Sequence, residues 1–190
     1  MDDQPPQPQA YVSRGGDKLA AALDHFALDV AGHVCADLGS HVGGFLDCLL
    51  RRGAARVYSV DTAYGILAWH LRTDPRVVVY ERTNAMHVTL PERPDMITID
   101  LGWTRQAKVL PNVATIAARD AHVVTLIKPH YEADRNALRL GVLPDDAVDD
   151  VVAGVLADLH TMGWRSIDRC SSPFRGRGGN REVFALLVRA

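Results

Sequence analysis

The sequence predicts an α/β fold: a mostly parallel seven-stranded sheet, helices on both of its faces, and an antiparallel hairpin at the C-terminal end. Three observations carry that expectation. Seven short apolar runs rich in Val and Ile recur along the chain, as strands buried on both faces require. Stretches with helical spacing separate most of them, the alternation that builds a doubly wound sheet. The last two runs are joined instead by a Ser/Pro/Gly-rich loop without helical periodicity, so an antiparallel pairing replaces the crossover. A chain of 190 residues, 47% hydrophobic and 23% charged, has the composition of an ordinary globular domain.

The elements follow in order. Residues 1–10 are a Pro/Gln-rich tail expected to be disordered, which places the folded domain at 11–190. Apolar residues at helical spacing and good helix formers predict the first helix over Lys18–Leu28. Strands are predicted at His33–Leu38, Ala55–Val60, Val77–Tyr80, Met96–Ile99, His122–Ile127, Trp164–Cys170 and Val183–Val188. Helices are predicted at Gly44–Arg52, Tyr64–Arg72, Thr104–Ala118 and Ala147–Met162. Phe45 and Trp69 are expected to pack within this framework.

Several function classes are disfavoured. No run of eighteen apolar residues is long enough to span a bilayer, and the acidic, proline-rich start is unlike a secretory signal. The three cysteines stand far apart with no CxxC pair, and the eight histidines show no HxxxH or HExxH spacing, so neither disulfides nor a metal site is expected. Cys48 falls inside an apolar helix and reads as an inert core thiol. No G-x-S-x-G elbow and no Walker loop occurs. A cytoplasmic protein is the expectation. The net charge of −2 lacks the basic excess of many nucleic-acid binders. Its distribution is uneven: in residues 164–190 six arginines face only Asp168 and Glu182, whereas Asp145, Asp146, Asp149 and Asp150 cluster at the start of the last helix.

Sheets of this kind bind ligands beyond the carboxyl ends of their strands. The residues expected there are Asp37–Gly44, Asp61, Glu81–Asn84, Asp100 and Lys128. The first of these segments, Asp37-Leu-Gly39-Ser40-His41-Val42-Gly43-Gly44-Phe45, pairs a glycine-rich turn with a carboxylate, and Asp61 ends the second strand about twenty residues later, placed to accept bonds from a ribose diol. The glycines do not follow GxGxxG, and Asp37 is unfavourable beside a pyrophosphate. A ligand carrying an ammonium and a sulfonium suits the loop better, and S-adenosylmethionine is such a ligand.

Tyr11-Val-Ser-Arg-Gly-Gly-Asp-Lys-Leu, Asp37-Leu-Gly, Gly43-Gly-Phe, Asp47-Cys-Leu-Leu, Val60-Asp, Tyr64-Gly, Leu67-Ala-Trp69, Glu81-Arg-Thr-Asn-Ala, Ile127-Lys-Pro and Gly179-Asn-x-Glu182 occur in that order. Together they resemble the methyltransferase domain of the FtsJ/TlyA family of S-adenosylmethionine-dependent ribose 2′-O-methyltransferases, from about Tyr11 to the C-terminus. The resemblance implies a Rossmann-like class I methyltransferase fold. It also implies a catalytic tetrad of Lys18, Asp100, Lys128 and Glu182, with Lys128 as candidate base and Lys18 as a neighbouring cation. A ribose hydroxyl is a poor nucleophile at neutral pH, so a base or a polarising cation is needed. The expected cofactor contacts are Asp37, Gly39, Ser40, Gly43, Gly44, Phe45, Asp61, Asn84 and Asp100.

The implied substrate is structured RNA, ribosomal or transfer. Trp103 stands in Leu101-Gly-Trp103-Thr-Arg, where the family usually reads Val-Ser-Phe-Ile-Ser, and offers a platform for a nucleobase. Arg175, Arg177 and Arg181 are the expected phosphate contacts. Family members usually carry an S4-type RNA-binding module before the Tyr-Val-Ser-Arg-Gly-Gly segment, and the ten Pro/Gln-rich residues 1–10 stand there in this sequence, so an accessory RNA-binding partner is expected. Two other readings keep parts of the same pattern. One is methyl transfer to a small-molecule hydroxyl, which the mild net charge suits; the other is a non-catalytic binding protein on the same scaffold.

Overall fold

The computed structural model describes residues 11–190; the tail expected at 1–10 lies outside the described residues, as does the side chain of Arg177. Ser13 starts the first helix, α1 (Arg14–His25), by accepting a hydrogen bond from the Gly15 N–H at 3.2 Å. Apolar residues 19, 22 and 23 turn one face of α1 into the core. There follow β1 (Val34–Leu38), α2 (Gly44–Arg51), β2 (Arg56–Val60), α3 (Trp69–Arg72), β3 (Val77–Tyr80) and β4 (Met96–Ile99). Then come α4 (Gln106–Ile116), β5 (His122–Ile127), α5 (Pro129–Glu132), α6 (Val148–Thr161), β6 (Trp164–Ser171) and β7 (Val183–Arg189).

The seven strands form one sheet in the order β3-β2-β1-β4-β5-β7-β6. The first five pair in parallel, while β7 inserts antiparallel between β5 and β6. Period-2 alternation divides the side chains between two cores. Cys35, Met96, Val124 and Leu126 face α1, α2 and α3, whereas Ala36, Ile97, Val123 and Ile127 face α4 and α6. The chain order reverses between β1 and β4, which opens a crevice at the carboxyl edge where β1 and β4 separate.

All seven predicted strands are present, three of them with the predicted bounds. The third helix is shorter than the predicted Tyr64–Arg72. Gly65 adopts a φ of 73° and its N–H goes to the Glu81 carboxylate, while the Ala63 N–H goes to Asp61, so residues 61–68 form a loop held by side-chain acceptors. Trp69, expected to pack, is 75% exposed. α4 starts at Gln106, two residues later than expected, because the Glu132 carboxylate accepts the Gln106 N–H at 2.8 Å and caps the helix from another element.

Candidate active site

A cavity of about 750 Å³ opens over the carboxyl ends of β1, β2, β4 and β5. Its floor is the loop between β1 and α2. The glycines of that loop make room for neighbouring protein: a Cβ at Gly39 would overlap the Asp100 carbonyl, one at Gly43 would overlap Leu71, and one at Gly44 would overlap Ser13 of the α1 cap. Gly39 and Gly43 also take φ values of 94° and 103°, which only glycine adopts freely. Gly39, Ser40, Gly44 and Phe45 line the cavity, whereas Gly43 is set back against α3. Phe45 is buried against Phe184, ring centres 5.9 Å apart.

Two aspartates expected at this floor have different settings. Asp61 lies on the cavity wall and accepts the His41 and Ala63 N–H groups, each at 2.8 Å, one on each carboxylate oxygen. That fixes the carboxylate and leaves lone pairs for a diol. Asp37 is fully buried beneath the loop and does not reach the wall. Its Oδ1 accepts the Thr98 hydroxyl at 2.9 Å, while Oδ2 has no partner among the described residues. Burial pushes its carboxyl up to about 7, against the opposing pull of the Thr98 and Ser40 hydrogen bonds, and the charges of Asp100 and Asp61 add to the rise.

The other wall holds lysines. Lys128 Nζ lies 2.6 Å from Asp100 Oδ1 and donates to the Leu101 carbonyl at 3.2 Å. Asp100 Oδ1 is buried yet has no aligned donor, so its contact with Lys128 is a charge pair off the hydrogen-bond direction. Lys18 reaches in from α1 and pairs with the buried Glu182 at 2.5 Å. Gly176 leaves the space that the Glu182 carboxylate fills. Lys18, Asp100 and Lys128 line one cavity, and Glu182 stands behind Lys18.

At the rim, Asn84 lines the cavity and its Oδ1 accepts the Met86 N–H at 2.9 Å. Trp103 is 86% exposed, at a φ of 55°, and stacks on Tyr131 with ring centres 4.6 Å apart. The sequence pattern does not single out Tyr131, although it stands three residues after Lys128, at the spacing that one helical turn brings to the same side. The arginine-rich and acidic segments meet: Arg175 pairs with Asp145 at 2.6 Å and Arg181 donates to the Asp145 carbonyl at 3.3 Å. Asn180 of the Gly-Asn-x-Glu motif pins the neighbouring loop through Leu143 N–H and the Gly141 carbonyl. Burial pushes the Cys48 thiol up to about 11, as suits an inert core cysteine.

The FtsJ-like methyltransferase family matches residues 11–189. The chain belongs to that family. The 16S/23S rRNA (cytidine-2′-O)-methyltransferase TlyA of Mycobacterium tuberculosis is 44% identical over 185 residues, covering 94% of this chain and 69% of that protein. This FtsJ-like chain therefore spans about two thirds of its curated relative. A solved protein of Streptococcus thermophilus, described as a hemolysin candidate, is 33% identical with a TM-score of 0.93, covering 97% of this chain and 69% of its own. A Burkholderia thailandensis N1-methyltransferase, solved with bound S-adenosylhomocysteine, shares the fold alone: 15% identity, TM-score 0.63, 94% of this chain and 79% of its own. Among the described residues no helix is long and apolar enough to cross a membrane, and no cluster of metal-ligating side chains occurs.

Proposed function

We propose that residues 11–190 form a methyltransferase domain that binds S-adenosylmethionine in this cavity and methylates a ribose 2′-hydroxyl in ribosomal or transfer RNA. The observation that carries the reading is the sharing of one cavity by the Asp61 carboxylate, the Lys128–Asp100 pair and Lys18, which Glu182 holds from behind. The cytidine-2′-O activity named for the relative TlyA supports the substrate class. The cofactor is supported by the donor set: a carboxylate fixed by two backbone N–H groups and a glycine floor. A ribosomal or transfer RNA substrate implies a cytoplasmic site of action.

S-adenosylmethionine, when bound, supplies a methyl group on a sulfonium that leaves readily. Asp61 would hold its ribose hydroxyls, Asn84 its adenine side, and Ser40 with the Gly39–Gly44 backbone the remainder. In its neutral form Lys128 takes the proton of the attacking hydroxyl at Nζ, and the Asp100 carboxylate holds that amine in place and offsets the charge it gains. Lys18, anchored by Glu182, presents a second cation that orients the hydroxyl oxygen as negative charge develops on it.

The test is transfer of labelled methyl groups from S-adenosylmethionine to ribosomal RNA, read as alkali-resistant 2′-O-methylribose. Lys128→Ala is expected to lower the rate by about 10²–10⁴-fold, the usual worth of a general base, while calorimetric affinity for S-adenosylhomocysteine persists. Label found on a base or only on small-molecule hydroxyls, or an unchanged rate in the variant, overturns the proposal.

A further inference from the structure

A second cavity of about 750 Å³ adjoins the first, and Met86, Trp103 and Thr104 line both. Its volume lies within the ~300–1,000 Å³ typical of clefts that take a small ligand. Its wall combines the Trp103–Tyr131 stack with three cations from two segments: Arg105 and Lys108 at the start of α4, and Arg135 from the turn after α5. All three cations are exposed, and none takes part in an ion pair among the described residues. The nearby acid of α5, Glu132, turns its carboxylate to the Gln106 N–H and is held by that bond. Tyr131 links the two cavities, since its ring centre lies 5.8 Å from Lys128 Nζ.

We infer that this second cavity is a nucleotide subsite, seating the residue next to the methylated one in a single-stranded stretch of RNA. The aromatic pair gives the base a stacking surface, which any base can use, and the three cations give the flanking phosphates their counter-charges. Two features set the pattern apart from an ordinary wet surface. The cations stand beside an aromatic wall instead of a solvated acidic face, and the cavity shares Met86, Trp103 and Thr104 with the one that holds Lys128. Trp103 also keeps a left-handed backbone at 86% exposure, a conformation that costs a non-glycine residue free energy and is commonly retained at functional sites. The contrast with the arginines of residues 164–190 is direct: Arg175 is committed to Asp145, whereas Arg105, Lys108 and Arg135 form no ion pair among the described residues, and Arg105 acts on Glu132 only through its charge.

The inference rests on the RNA reading of the active site, and the test separates the two. Binding of a fluorescein-labelled cytidine tetranucleotide is measured by anisotropy across a salt series, alongside calorimetry with S-adenosylhomocysteine. The double variant Arg105→Ala/Lys108→Ala is expected to lose about tenfold in RNA affinity. Its log–log salt slope should become shallower by about 1.4, or two single-strand phosphate contacts at about 0.7 each. S-adenosylhomocysteine affinity and melting temperature should stay at the wild-type level. Arg135→Ala should weaken RNA in the same direction, and Arg119→Ala, which removes an exposed charge beyond the far end of α4, should not. Wild-type binding with an unchanged slope in the double variant overturns the subsite alone. A wild-type protein that binds S-adenosylhomocysteine but no RNA at any salt overturns the RNA reading and the subsite with it. Displacement of the RNA by polyglutamate at equal charge would overturn the subsite and assign the patch to an acidic protein surface instead.

Discussion

The two walls of the candidate active-site cavity are built in opposite ways. The β1–β2 wall is made by neighbours in sequence: the loop from Gly39 to Gly44 and the carboxylate of Asp61, joined by backbone N–H bonds spanning two and twenty residues. The β4–β5 wall is made by long-range side-chain pairs. Asp100 meets Lys128 across 28 positions, and Lys18 meets Glu182 across 164. A wall fixed by backbone bonds tolerates side-chain change around it, whereas a wall of ion pairs depends on each partner being present. Binding of a cofactor suits the first arrangement; proton transfer, which needs groups that change charge, suits the second.

The sharpest way to break that contrast is to remove one charge from each wall without changing shape. Asp100→Asn should reduce methyl transfer by about 10²-fold or more and leave S-adenosylhomocysteine binding within a few-fold, since it unsettles Lys128. Asp61→Asn keeps one acceptor for the backbone donors, and should raise the Kd for S-adenosylhomocysteine roughly tenfold while the saturated rate changes little. Calorimetry and single-turnover rates on the two variants decide the matter; matching losses of rate and affinity in both would dissolve the distinction between the walls.

The next effect is on stability. Gly39→Ala places a Cβ into the Asp100 carbonyl at a φ of 94°, so a main chain must move, and the loop that links both walls distorts. A loss of about 2–4 kcal/mol is expected in denaturant unfolding, from strain plus overpacking. Gly65→Ala serves as the control: its φ is 73° but nothing lies within 4 Å, so only the backbone cost of about 1–2 kcal/mol applies. Equal losses in the two variants would show that the Asp100 carbonyl yields freely.

The same division explains what the sequence made legible. Strand runs and the glycine–Asp61 spacing are local patterns, and the sheet, its strand bounds and the floor of the cavity could be read from them. Lys18 and Glu182 carry no local signal, since a helix lysine and a carboxylate beside an arginine are ordinary surface residues. Only the ordered family motifs singled them out, and the structure brings them together at 2.5 Å. Asp37 stood in the glycine segment but is a buried residue below the loop, because the alternation along β1 turns it towards Thr98 and the α1–α3 face. The Arg175–Asp145 pair and the Trp103–Tyr131 stack join segments 30 and 28 residues apart, which neither periodicity nor composition encodes.

Asp37 gives the finest test, because β1 lies between β2 and β4 and its carboxyl senses both walls through the charges of Asp61 and Asp100. Its folded value of about 7 stands above the ordinary 3.8. Between those two values the unfolded chain has released its proton while the folded protein still holds it, so stability falls as pH rises through that window. The stabilisation from this group is fully present below pH 3.8, is lost by the time the pH passes about 7, and does not change further above it. Asp37→Asn is neutral throughout and removes this slope. The amide also introduces a donor at the position of the unpartnered Oδ2, which alters absolute stability at every pH; the readout is therefore how the gap between the two unfolding curves changes with pH. That gap should move in favour of the variant by roughly 1–4 kcal/mol from pH 4 to pH 8, since a one-proton difference between folded and unfolded states is worth about 1.4 kcal/mol over each pH unit. Parallel curves would mean that Asp37 is ionised in the folded protein, with its charge met by a neighbour, and the two walls would then be electrostatically independent of the strand between them.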